Sequence, residues 1–148
     1  MAACTFIGHK DFTFKYYSKL CEAIENLILS ERVNEFYVGT NGAFDRSAYR
    51  ALCDLEKKYK IRINVITAYL NQKDLSVYKQ NEIIFPEILE KTPYRYAINK
   101  RNFYMIEKSQ YMICYMNHTF SNTYNFVNRA AKRKLKIINI GEYDISNL

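Results

Sequence analysis

His9 and His118 are the only imidazoles in the chain, and each stands two residues after the end of a short apolar run. Their surroundings are Gly8-His9-Lys10 and Asn117-His118-Thr119-Phe120-Ser121-Asn122-Thr123, and a third turn of similar character is Gly39-Thr40-Asn41-Gly42. Glycine lets backbone approach a ligand closely, and the free N–H groups that open a helix can hold an anion. Thr119, Ser121, Asn122 and Thr123 also suit helix capping, which draws on the same N–H groups. Such residues make an anion cradle when a fold brings the three turns together. Taken singly, a Gly-x-x-Gly is a turn and a lone histidine a structural residue.

The elements that must position these turns are legible as alternating apolar runs and amphipathic stretches. Strands are expected at 3–7, 35–38, 61–70, 111–116 and 135–140, where branched and aromatic residues cluster without polar alternation. Helices are expected at 14–30, 44–59, 95–108 and 121–134. The first buries Phe14, Tyr17, Leu20, Cys21, Ile24, Leu27 and Ile28; the second buries Ala48, Leu52 and Leu55. The third buries Ile98, Met105 and Ile106. Residues 71–93 are irregular, carry both prolines, and read as a lid or binding loop. Strands separated by helices imply an α/β fold: a doubly wound, mainly parallel five-stranded sheet with helices on both faces, Rossmann-like, order 3-2-1-4-5, as a single domain over 1–148. Ligands of such sheets sit where the strand order reverses, here between the first and fourth strands. Three of the four glycines and both histidines then fall on one rim.

Composition narrows the field. With 148 residues, 49% hydrophobic, 16% aromatic, four glycines and two prolines, the chain can bury roughly two thirds of its unfolded surface and is not disordered. The uncharged run 109–128 has the length of a membrane span, but its Gln, Asn, His, Ser and Thr residues exclude one. No basic leader opens the chain, so no signal peptide is expected. Cys4, Cys21, Cys53 and Cys114 stand apart inside apolar stretches, as buried reduced thiols of a cytoplasmic protein; no C-x-x-C supports a metal site. Residues 1–90 hold 12 basic and 12 acidic side chains, while residues 91–148 hold 10 and 3. The whole excess of positive charge lies in the last third and suggests an anionic partner. Lys132, Arg133 and Lys134 at a helix end also complement its dipole.

Three segments resemble the SLOG superfamily, the Rossmann-like group that takes in DNA-processing protein A and the LOG phosphoribohydrolases. They are Phe6-Ile7-Gly8-His9-Lys10, the stretch from Phe36 to Asp45 (FYVGTNGAFD), and the stretch from Pro93 to Asn102 (PYRYAINKRN). The resemblance implies a nucleotide-type ligand on the rim. Gly8, Gly39, Gly42 and Asp45 would shape the pocket, and Arg95 and Arg101 would face phosphate or ribose. Asp45 and Arg95 have simpler readings as a helix-start charge and a surface charge. The chain departs from that group after the fourth strand, where Ser121-Asn122 replace a Gly-Gly pair. The catalytic Glu of the LOG branch also has no counterpart, since no Asp or Glu lies between Glu107 and Glu142.

The leading expectation is a binding or sensing module for a nucleotide-derived ligand (a nucleoside phosphate, NAD or ADP-ribose) without catalysis and with no required cofactor. A second is an N-glycosidic hydrolase using Asp45 or Glu107. A third is single-stranded nucleic acid binding through Tyr stacking and Lys/Arg on the backbone. A homodimer is compatible with so small a sandwich.

Overall fold

A computed structural model describes residues 2–148. Its strands are β1 (Ala2–Gly8), β2 (Val33–Val38), β3 (Arg62–Ile66), β4 (Ile83–Ile84), β5 (Tyr111–Tyr115) and β6 (Lys136–Asn139). Its helices are α1 (Tyr17–Ser30), α2 (Gly42–Glu56), α3 (Ala97–Glu107) and α4 (Asn122–Lys132). The sheet is parallel throughout, in the order β4-β3-β2-β1-β5-β6. The expected 3-2-1-4-5 order is present, with one strand added at its edge.

Successive residues of each strand feed opposite faces, as pleating requires. Phe6, Phe36, Val38, Val65, Ile113 and Tyr115 pack with Leu20 and Ile24 of α1 and Phe44 and Leu52 of α2. Ile7, Ile66, Met112 and Cys114 pack on the other face with Met105 and Ile106 of α3 and Phe126 and Val127 of α4. Both faces are therefore dry, which explains why the strands lack polar alternation.

Several expectations are corrected. Residues 71–93 form short 3-10 turns and β4, and no described residue among them lines the cleft discussed below. Ala68, Leu89 and Ala97 instead make a small cluster with Tyr69, Phe85 and Ile98. Phe14 lies in a 3-10 turn ahead of α1, where three residues per turn rotate it off the helical stripe. It is exposed and stacks on Tyr17 at 5.0 Å between centroids. Cys4 and Cys114 are buried, whereas Cys21 and Cys53 are half-buried; all four are free. Residues 109–128 divide between β5, a loop and the start of α4. No helix among the described residues is long and apolar enough to cross a membrane.

Helix α4 ends in a Schellman motif, with the Lys134 N–H donating to the Ala131 carbonyl and the Leu135 N–H to that of Ala130. Lys134 occupies the left-handed position at φ 65°, usually given to glycine.

Candidate functional site

The carboxyl ends of β1 and β5 and the first turns of α2, α3 and α4 surround an open cleft of about 860 Å³, within the range of small-ligand sites. The first turn contributes Gly8, His9 and Lys10; the second, Asn41; the third, His118, Thr119, Ser121, Asn122 and Thr123. Asp45 and Arg101 form part of the same wall. The three turns thus converge, as the reversal of strand order requires.

Five candidates stand outside the cleft lining. Thr40 is buried behind Arg101 and its hydroxyl donates to Gln72 Oε1 at 3.0 Å. Asn117 donates to the Tyr115 hydroxyl and accepts from the Glu142 N–H, tying down the loop. Arg95 is exposed and lies over the Tyr96 ring. Gly42 opens α2 at φ 91°, a conformation glycine adopts freely. Gly39 lies beneath the cleft wall: a Cβ there would stand 2.6 Å from Asp45 Oδ2 and 2.8 Å from Arg101 Cζ. At Gly8 a Cβ would meet the Phe44 ring at 2.5 Å. At both glycines a side chain would collide with protein side chains, and Gly8 also lines the cleft.

Asp45 and Arg101 are both buried around Gly39. Asp45 Oδ2 accepts the Asn41 N–H at 3.0 Å. Arg101 Nη1 donates to Asn41 Oδ1 at 2.9 Å and its Nε to Asn102 Oδ1 at 3.0 Å. Burial raises the Asp45 carboxyl above the ordinary carboxylate value, and the Arg101 charge and the Asn41 N–H offset part of that rise. Asp45 is also the acidic residue of the first turn of α2, so the helix-start reading holds alongside its place in the wall.

The histidines stack face to face, with centroids 4.1 Å apart and planes 9° from parallel. His9 extends the β1–β5 ladder through its N–H to the Tyr115 carbonyl, which fixes its position. His118 Nδ1 accepts the Phe120 N–H at 3.2 Å, which fixes the ring over the loop. Burial, then the neighbouring His118, lower the His9 value below 6.5; Asp11 and a backbone hydrogen bond with His118 pull the other way. A depressed histidine contributes stability above its unfolded value that disappears as pH falls through its folded value. Urea midpoints at pH 7.5, 6.5 and 5.5 should therefore decline toward acid, and His9→Gln should flatten that decline. An unchanged slope in His9→Gln would assign the acid lability to other groups.

Ser121 precedes α4 in the N-cap position, but its side chain makes no capping bond; its Oγ lies 3.0 Å from His9 Nδ1. The capping expectation for Ser121 is thus corrected: His9 takes the hydroxyl, and no side-chain cap covers the opening amides of α4.

Sequence reasoning passed over Asp11, Asn99, Asn102, Phe120 and Asn125, which also line the cleft. Asn99 and Asn102 are three apart near the start of α3, a spacing that places them on one side of it. Phe120 is 92% exposed and stacks on His118; an apolar residue amid polar loop neighbours was its available signal. Glu107 ends α3, three residues before the Gln110 N–H that donates to the Ala3 carbonyl near the start of β1, and it does not line the cleft. It therefore cannot serve chemistry there. Asn125 also borders a smaller hollow of about 470 Å³ lined by Asn128, Arg129, Lys132 and Arg133. No group of three or more His, Cys, Asp or Glu among the described residues could hold a metal.

Neither a family model nor a curated protein sequence matches the chain. The structure is similar to an X-ray structure of DNA processing protein A from Streptococcus pneumoniae, with a TM-score of 0.69 and 12% identity. The similarity covers 99% of this chain and 52% of that one, so the present chain spans about half its length. At that identity the likeness concerns architecture, and it shows that the chain has a Rossmann-like α/β fold of the kind found in DNA processing protein A.

Proposed function

We propose that the cleft binds a nucleotide-derived small molecule, of the nucleoside phosphate, NAD or ADP-ribose type, and that the protein acts as a binding or sensing module. The carrying observation is the convergence of uncapped α4, the buried Arg101 and the 8–10 turn on one cleft. The opening amides of α4 suit a phosphate. Asn41, Asn99, Asn102 and Asn122 supply neutral donors and acceptors suited to ribose and base edges. Exposed Phe120 offers a face on which a base can stack.

Thermal melts against AMP, ADP, NAD and ADP-ribose test this. A ligand at a hundred times its Kd adds about 2.7 kcal/mol of stability, expected to raise the melting temperature by roughly 5–10 °C. No shift with any of the four at millimolar concentration sinks the reading. Base released during the same incubations would favour the glycosidic alternative, for which Asp45, buried in the wall, is the remaining named carboxylate.

Single-stranded nucleic acid is the second reading. It is favoured by Phe120 together with the basic hollow that shares Asn125 with the cleft. Binding of that kind weakens steeply with salt, whereas binding of a single nucleotide in the cleft should change far less.

A further inference from the structure

One contact in the cleft joins a hydroxyl to a base. Ser121 is half-buried and lines the cleft, while His9, 3.0 Å from its Oγ, is 5% exposed. The hydroxyl is thus presented to a ligand and the imidazole shielded behind it. The amides of Asn122 and Thr123 follow Ser121 at the start of an 11-residue helix, where backbone N–H groups have no intrahelical acceptor and no side chain caps them. Asp11, on the turn that carries His9, borders the same cleft.

We propose that Ser121 is a nucleophile for acyl transfer from carboxylic esters, with His9 as its general base and the opening amides of α4 as donors to the oxyanion. Oγ attacks the carbonyl carbon while its proton passes to His9 Nδ1. The carbonyl π pair becomes an alkoxide facing the α4 amides. Collapse re-forms the C=O bond and breaks the bond to the leaving alkoxide, which takes the proton from His9. Water then attacks the acyl-serine with His9 again accepting a proton; collapse of this second intermediate breaks the acyl–Oγ bond, and Ser121 Oγ takes the proton back from His9. The products are a carboxylic acid, an alcohol and the free Ser121 hydroxyl.

The surroundings of His9 suit this role. Burial, the largest influence on the ring, lowers its value below 6.5 and favours the neutral form, so its lone pair is available. The Asp11 carboxylate favours the imidazolium that forms as the proton arrives. Lys10, exposed on the same turn, is the remaining charged neighbour along this stretch. The activity needs no nucleotide in the cleft, so it stands or falls apart from the ligand proposed above.

A fluorophosphonate probe that phosphonylates activated serines, followed by peptide mass mapping of the full chain, tests the proposal. The expected result is one adduct, on Ser121, absent from Ser121→Ala. Labelling should be at least about a hundred-fold slower in His9→Gln, in line with general-base contributions. Because His9 is buried, that variant is paired with a rate profile of the unaltered chain. Labelling there should fall as pH drops from 8 to 5, in the direction set by His9, with His118 and Asp11 as the facing titratable groups. No adduct on Ser121 overturns the proposal, and so does an adduct formed at a rate flat across that pH range. A chain that is labelled but unmoved by nucleotides in thermal melts supports the ester chemistry and removes the nucleotide reading.

Discussion

Asp45→Asn is expected to lower the stability of the protein by about 1–3 kcal/mol, or roughly 3–10 °C in melting temperature for a chain of this size. Asparagine keeps an oxygen for the Asn41 N–H, so the change removes charge and little else. What it leaves is Arg101, 3% exposed, with no carboxylate facing it across Gly39. A guanidinium cannot shed its proton to escape burial. Arg101→Met leaves the opposite orphan and should behave differently. Asp45 can take up a proton, and burial already raises its carboxyl. A carboxyl raised on folding contributes stability that is present below its unfolded value of 3.8 and is lost as pH rises through the folded value. The deficit of Arg101→Met should therefore shrink between pH 8 and pH 5, while that of Asp45→Asn should not shrink in this way. Chemical unfolding of both variants at the two pH values decides it; deficits that move in parallel would show that the two charges do not compensate each other.

Gly8→Ala should cost about 3 kcal/mol, near the top of the usual range for overpacking. The added methyl would stand 2.5 Å from Phe44 Cδ2. Phe44 cannot swing aside, because it is 2% exposed and held edge-on by Phe6 and Phe12 at 6.4 and 5.2 Å between centroids. Shortening the obstacle should relieve the clash: in Phe44→Leu, the further cost of Gly8→Ala should be smaller by at least about 1 kcal/mol. Additive losses across the four chains would show that the conflict lies elsewhere.

Most of the architecture is legible in the residues because burial dictates them. A strand covered on both faces must be nearly continuous in apolar residues: Tyr111–Tyr115 is, and Ala3–Ile7 breaks the run only at Thr5, whose buried hydroxyl has no hydrogen-bond partner. β4 escapes notice because two isoleucines are too short to show any period; they join the sheet through pairing of Val65 with Ile83 and Ile66 with Ile84. Phe14 misleads for a different reason, since α-helical spacing cannot reveal that the chain is still in a tighter turn. The location of the site follows from topology, and so the three turns could be placed together. Its inner wiring could not. That Ser121 turns to His9 instead of capping α4, and that the space beside Gly39 is filled by the side chains of Asp45 and Arg101, depend on side-chain packing that linear order does not encode.

The position of β1 has a kinetic corollary. Its Cys4–Gly8 stretch pairs with residues 111–115, so more than a hundred residues must be synthesised between the two partners of one ladder. Hydrogen bonding with β2 can begin early, but that edge of β1 stays unsatisfied until the later strand emerges. Closure over such a contour is entropically slow, and during that interval a nascent chain carries an open apolar strand edge of the kind that chaperones exist to shield.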